Sequence, residues 1–282
     1  DGIADRSSHR EDVRALNRML RQIKPDLVHT HGCLSGRIAA RQCGIPAVYS
    51  RHSAFPVPPR LKYPPGRWVN KLVNERYAKR IIAVSPATRD NLVEGGISPK
   101  KITVVMNGVA PVTRTAPEVQ AALKHELDLP EGDMVFGILA RLEDYKGHLY
   151  LVEAARLLKE KGRTGFSILV AGTGPFAGRL ARAVEEAGVK DVVRLLGFRS
   201  DVAQLLNILD VQLNASYGTE ATSMALLEGM SLGLPTIASD YGGNPWVVED
   251  GASGLLFPRR DPAALAAAME RLMDSPRERE EM

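Results

Sequence analysis

The sequence predicts an α/β protein of two domains, each a doubly wound parallel sheet, facing one another across a cleft. Three observations carry this reading. Short apolar runs alternate with helical patterns from one end to the other. The 282 residues suffice for two domains of ordinary size. A turn signal, Asn107-Gly108, followed by a link rich in Pro and Thr to about Pro117, divides residues 1–108 from residues 109–282. Short apolar strands separated by helices imply a parallel sheet covered on both faces. In such sheets ligands bind beyond the carboxyl ends of the strands.

Element by element, the first half opens with a helix over about 9–24 and the strand 26–30. A helix near 35–42 leads to the strand 46–50, and a Pro-rich stretch leads to a basic helix near 67–79. The strand 81–84, a helix over 87–94 and the strand 102–106 complete it. In the second half strands are expected at 134–140, 166–171, 192–196, 211–214, 236–239 and 254–257, with helices between them. The last helix has Asp261 as N-cap and Pro262 as its first residue, a favourable start because Pro has no N–H to leave unsatisfied there.

Hydrophobic content of 44% and charge of 25% belong to a globular chain rather than a disordered one. No apolar run approaches the ~18 residues that a membrane-spanning helix needs. No basic-then-apolar leader opens the chain, so a cytoplasmic location is expected. Cys33 and Cys43 fall on one expected helix, ~15 Å apart by its rise, too far to bridge. That favours a reducing compartment. The net charge of +4 hides an asymmetry: residues 1–108 hold 19 Lys and Arg against 8 Asp and Glu. Such a split points to nucleic acid or an anionic membrane. No stacking aromatic platform accompanies it, so nucleic acid is set aside.

The residues able to carry chemistry cluster at expected strand ends. Glu220 and Glu228 flank the start of an otherwise apolar helix, with Thr222 or Ser223 as its N-cap. They are ~12 Å apart along the helix, too far to share an atom but able to contact two ends of one ligand. Free N–H groups at that helix start suit phosphate. The plainer reading is a Glu favoured by the helix dipole and a solvated Glu. Arg141 directly follows a strand and Lys146 stands before the next helix, which suits a diphosphate or ordinary surface charge. Gly172-Thr-Gly174 is half of a dinucleotide fingerprint, or a tight strand-to-helix turn. His29, His31 and His52 lie at strand ends without a carboxylate or Cys at ligand spacing, so no metal site is assigned. Residues 60–80, from Arg60 to Arg80, hold seven cations and one acid, and Trp68, Leu72, Val73 and Tyr77 form an apolar stripe. That pattern suits an interfacial helix on anionic lipid, or a helix with one solvated basic face.

Taken together, Glu220-x7-Glu228, the Gly-Leu-Pro-Thr-Ile-Ala-Ser run, Gly242-Gly243 and Arg141-Leu-x3-Lys146-Gly resemble the donor site of the retaining family-4 glycosyltransferases of GT-B fold, the glycosyl transferases group 1. Asp26-Leu-Val-His-Thr-His, Ser-x-His52, Ala83-Val-Ser85 and Asn107-Gly108-Val resemble landmarks of their N-terminal domain. The resemblance spans about residues 10–275. It implies two Rossmann-like domains and a metal-independent transfer with no cofactor, the donor being a UDP-, GDP- or ADP-linked sugar. Arg141 and Lys146 would hold the diphosphate, Glu228 the ribose and Glu220 the donor sugar. Thr222 and Ser223 would add to the phosphate site, with Gly172 and Gly174 lining it. Phe198 and Arg199 would lie near the base, and His52 would approach the sugar. The resemblance further implies a glycan or lipid-linked acceptor, and a peripheral place at the inner membrane face. Trp246 and Ser53 depart from acidic positions of that family. Its first strands and glycine-rich loop have no counterpart here, so the N-terminal domain is expected to be incomplete. The readings weighed against transfer are a non-catalytic nucleotide-sugar-binding module or partner subunit and a nucleotide-sugar epimerase.

Overall fold

The structure, a computed structural model, describes residues 9–282. The chain forms two compact units, dividing between Asn107 and Gly108. In the first, α1 (Arg10–Ile23), β1 (Val28–His31), α2 (Leu34–Gln42), β2 (Ala47–Arg51), α3 (Pro59–Lys62), α4 (Gly66–Tyr77), β3 (Arg80–Ala83), α5 (Pro86–Glu94) and β4 (Ile102–Val104) follow in order. Strands β1 to β4 pair in parallel in that same order. A right-handed crossover repeated in one direction places α2, α4 and α5 on one face. The four described strands thus run in sequence order in a parallel sheet, as an α/β unit of this class is expected to have. Its core is small: Tyr49, Ala78, Ile81, Ala83, Leu92 and Ile97.

The second unit holds α6 (Pro117–Glu126), β5 (Met134–Leu139), α7 (His148–Glu160), β6 (Phe166–Ala171), α8 (Ala177–Glu186), β7 (Val193–Gly197) and α9 (Val202–Asn207). It continues with β8 (Val211–Asn214), α10 (Met224–Met230), β9 (Thr236–Ser239), β10 (Gly254–Phe257), α11 (Pro262–Asp274) and α12 (Pro276–Glu281). The strand order is β10-β9-β8-β5-β6-β7, all parallel. The period of two along each strand serves both faces. Phe136, Ile138, Ile168 and Val170 pack with Leu151, Leu158, Leu180, Leu265 and Met269 of α7, α8 and α11. Val135, Leu169 and Ala171 pack the other way, with Leu123, Leu205 and Leu206 of α6 and α9. The order reverses between β5 and β8, which opens a crevice at their carboxyl ends.

The basic helix differs from its expected form. Val73 and Tyr77 of α4 are half-buried, while Trp68, Val69 and Leu72 stand out at 67%, 57% and 65% exposure. The stripe is thus divided between the protein and the solvent face. Cys33 and Cys43 are both free, at the two ends of α2. Among the described residues no helix is long and apolar enough to cross a membrane.

Candidate active site

The crevice is built by four loops that leave strand ends and touch one another through glycines. A side chain at Gly147, whose φ is +77°, would meet the carbonyl oxygen of Ala215 at 2.0 Å. One at Gly243 would meet that of Ala221 at 1.8 Å. Gly172 and Gly174 press on the Ala140 and Leu142 carbonyls in the same way, at 1.9 and 2.2 Å. Only glycine permits such approach. The last two residues thus hold the β5 and β6 loops together, a packing role that the expectation of a phosphate turn did not include.

Inside that frame lies an ion pair. Lys146 Nζ is 2.7 Å from Glu220 Oε2, with the two side chains only 17% and 5% exposed. Oε2 also accepts from Ser216 Oγ at 2.8 Å and from Asn214 Nδ2 at 3.4 Å. Asn214 Oδ1 in turn accepts from the Ser216 amide at 3.0 Å, and Ser239 Oγ donates to the Ser216 carbonyl at 2.5 Å. A buried carboxylate is costly unless paired and hydrogen-bonded, and here both conditions are met. The solvated Glu of the plainer reading is therefore not Glu220. Asn214, Ser216 and Ser239 were missed from sequence. Their signal was position, small polar residues at the ends of the apolar strands β8 and β9.

Arg141 is exposed at the crevice mouth, where its Nη2 donates to Tyr145 Oη at 3.0 Å. It has no carboxylate partner among the described residues. Ser223 is the N-cap of α10 and accepts from the Leu226 amide at 3.4 Å. Thr222 Oγ1 donates to the Ala221 carbonyl at 2.8 Å. Glu228 lies in the second turn of α10, half-buried, and among the described residues its carboxylate has no partner. Phe198 follows β7 and is three-quarters exposed, an apolar face free to stack. Arg199 is committed elsewhere. It forms ion pairs with Asp201 at 2.6 Å and Glu126 at 3.1 Å, which raise its pKa further. An arginine so engaged has fewer donors for a base than the sequence suggested.

His148 opens α7 right after the glycine, fully buried. Burial and the nearby Lys146 charge push its pKa down to about 4, so the ring stays neutral. In the first unit, His31 Nδ1 and His52 Nε2 share a hydrogen bond of 2.7 Å, and His29 Nε2 bonds Ser50 Oγ at 2.9 Å. Burial, then His31 and His29, lowers the His52 pKa. The three rings thus form one chain of contacts, with His52 held by its neighbour.

Comparison with known proteins agrees with this architecture. Residues 119–282 match the model of the glycosyl transferases group 1, and residues 4–112 match that of Glycosyltransferase Family 4. The chain is 30% identical over 274 residues to the Escherichia coli UDP-Gal:alpha-D-GlcNAc-diphosphoundecaprenol alpha-1,3-galactosyltransferase, covering 92% of this chain and 69% of that protein. It is 29% identical to a D-inositol 3-phosphate glycosyltransferase of Corynebacterium kroppenstedtii, covering 90% of this chain and 60% of that one. Among solved structures it resembles a glycosyltransferase from Rickettsia africae, with TM-score 0.85, 22% identity, and coverage of 100% of this chain and 76% of that one. It also resembles Anabaena Alr3699/HepE in complex with UDP, with TM-score 0.83, 23% identity, and coverage of 95% and 74%. These likenesses place the fold in the GT-B class. The chain belongs to the glycosyl transferases group 1, the family-4 glycosyltransferases.

Proposed function

We propose that this chain transfers a glycosyl group from a nucleotide-sugar to a hydroxyl acceptor, with retention of configuration and without a metal. The observation that carries the reading is the buried Lys146–Glu220 pair beside the unpaired Arg141, at the reversal point of the second sheet. Relatives that carry UDP or act on UDP-galactose support the donor class by analogy. Arg141 and Lys146 would hold the diphosphate, Glu228 the ribose hydroxyls, and Phe198 the face of the base.

As the bond between the anomeric carbon and the diphosphate breaks, negative charge gathers on the leaving oxygen. Arg141 and Lys146 stabilise it in place, a service otherwise supplied by a divalent ion. The acceptor oxygen bonds to the anomeric carbon on the same face, and its proton passes to the departing phosphate. Retention by double displacement would need a free carboxylate nucleophile. Glu220 is a poor one, because its charge is already paired with Lys146 in a buried site. Its role is to hold Lys146 and to orient a sugar hydroxyl. We assign the acceptor to the lipid-linked or polysaccharide class. The working place is the inner face of a membrane, supported by the exposed Trp68, Val69 and Leu72 beside Arg67, Lys71 and Arg76.

The test is product analysis. Proton NMR of the product should show the donor's anomeric configuration, and turnover should persist in excess chelator. Arg141→Ala with Lys146→Ala should cut turnover at least ~10²-fold. Unchanged turnover would remove their assigned role. A bound donor with neither transfer nor hydrolysis would favour a binding module.

A further inference from the structure

We infer that Arg259 and Arg260 form a second oxyanion site, for a charged group of the substrate other than the donor diphosphate. The inference rests on the donor reading above for the identity of the first site. The two residues follow Pro258 at the carboxyl end of β10, the outermost strand of the sheet. Each guanidinium carbon lies over a tyrosine ring: that of Arg259 is 4.8 Å from the Tyr241 ring centre, and that of Arg260 is 4.4 Å from that of Tyr217.

Both tyrosines are themselves fixed. Tyr217 donates its hydroxyl to Asp144 and meets Tyr150 edge-on, and burial with that bond pushes its pKa up to about 12. Tyr241 donates to the Gly218 carbonyl. The tyrosines thus tie the arginines to the loop that carries Glu220. The Tyr217 amide also donates to the Tyr145 carbonyl at 2.8 Å, one residue from Lys146.

An arginine stacked on a ring is often mere surface packing. Three facts favour a site. Contact with a ring does not consume N–H donors, and among the described residues neither guanidinium donates a side-chain hydrogen bond. Neither guanidinium has a carboxylate partner among the described residues. The backbone is also committed to the arrangement. Arg260 adopts φ +63°, a left-handed conformation that costs a residue with a Cβ, and the Arg259 amide is tied to Asp240 Oδ1 at 2.9 Å. Two consecutive arginines, each over a hydrogen-bonded tyrosine and without a carboxylate partner among the described residues, match a phosphate or carboxylate. Its source is either an acidic donor sugar or a phosphate on the acceptor.

The experiment is a phosphorus-31 NMR titration with inorganic phosphate in saturating UDP, which fills the first site. The wild-type chain should broaden the phosphate signal saturably. Arg259→Gln with Arg260→Gln should weaken that binding at least tenfold and leave UDP affinity within twofold. Equal phosphate binding in both proteins would overturn the proposal. So would a parallel tenfold loss of UDP affinity, which would put the arginines in the donor site. A second arm names the source. If the double variant selectively loses UDP-glucuronate over UDP-glucose, the oxyanion is the donor sugar's. If it loses neither donor, the oxyanion is the acceptor's. If UDP does not bind at all, the donor reading falls, and phosphate binding lost in the double variant still supports this one.

Discussion

The two sheets differ in the order of their described strands. The second reverses its order in the middle, between β5 and β8, and the four described strands of the first run in sequence order. Reversal sends neighbouring loops apart and leaves a crevice between them. Into that crevice the second unit sets its charged network, supported by large apolar clusters on both faces of the sheet. The first unit has a small core, a basic outer helix and a histidine chain at an exposed edge. A network that buries charge is placed where the surrounding packing can hold it.

The comparison is broken most forcefully at the ion pair. Lys146→Met strands a carboxylate that is 5% exposed, and should destabilise the second unit by ~3 kcal/mol in urea unfolding. Arg141→Ala removes an exposed side chain and should stay within about 0.5 kcal/mol, while turnover falls. Equal stability losses for both variants would mean that Lys146 is not the supporting member.

A nearly comparable effect should appear with pH. His148 stays neutral in the folded protein down to about 4, whereas the unfolded chain binds a proton below about 6.5. The unfolded state therefore holds more protons between those values, and stability falls as pH falls through that window. The loss should reach about 3 kcal/mol at pH 4 and vanish in His148→Phe. A wild-type stability curve parallel to that of the variant would contradict it.

The first unit should respond quite differently. Trp68→Ser with Leu72→Ser should leave unfolding unchanged within about 0.5 kcal/mol, since both side chains already face solvent. Binding to vesicles containing phosphatidylglycerol should drop in the same protein. A large loss of stability would show that this face is covered in solution. Smallest of all, His31→Ala should raise the His52 pKa part of the way toward its ordinary value, read by NMR titration, because burial remains.

How much of this was legible depended on which physical signal each feature leaves. The second sheet's strands were readable almost to the residue, because buried parallel strands are continuous apolar runs: 166–171, 211–214, 236–239 and 254–257 coincide with β6, β8, β9 and β10. The Asp261 cap was equally plain, and its carboxylate accepts from the Ala264 amide at 2.9 Å. Helix α6, which starts where the link was placed to end, was not foreseen, because its single buried residue, Leu123, leaves no apolar period to read. Strand order leaves no mark in sequence, so the order of neither sheet could be read.

At the site, residue types and loop positions were readable, but pairing was not. Lys146 and Glu220 were assigned to different parts of a ligand, and the contact that also joins them, 74 residues apart in sequence, could not be read. Arg199 was read toward a base, and its neighbour two positions on, Asp201, takes it. Trp68 and Leu72 were grouped with Val73 and Tyr77, although helical geometry turns the first two away from the sheet.

The most direct test of the donor site is calorimetric titration with UDP, GDP and ADP, on the wild-type chain and on Glu228→Ala. The reversal-point crevice predicts one-to-one binding of one of these nucleotides, weakened at least tenfold in the variant. Absence of binding by all three, or binding indifferent to Glu228, would contradict it.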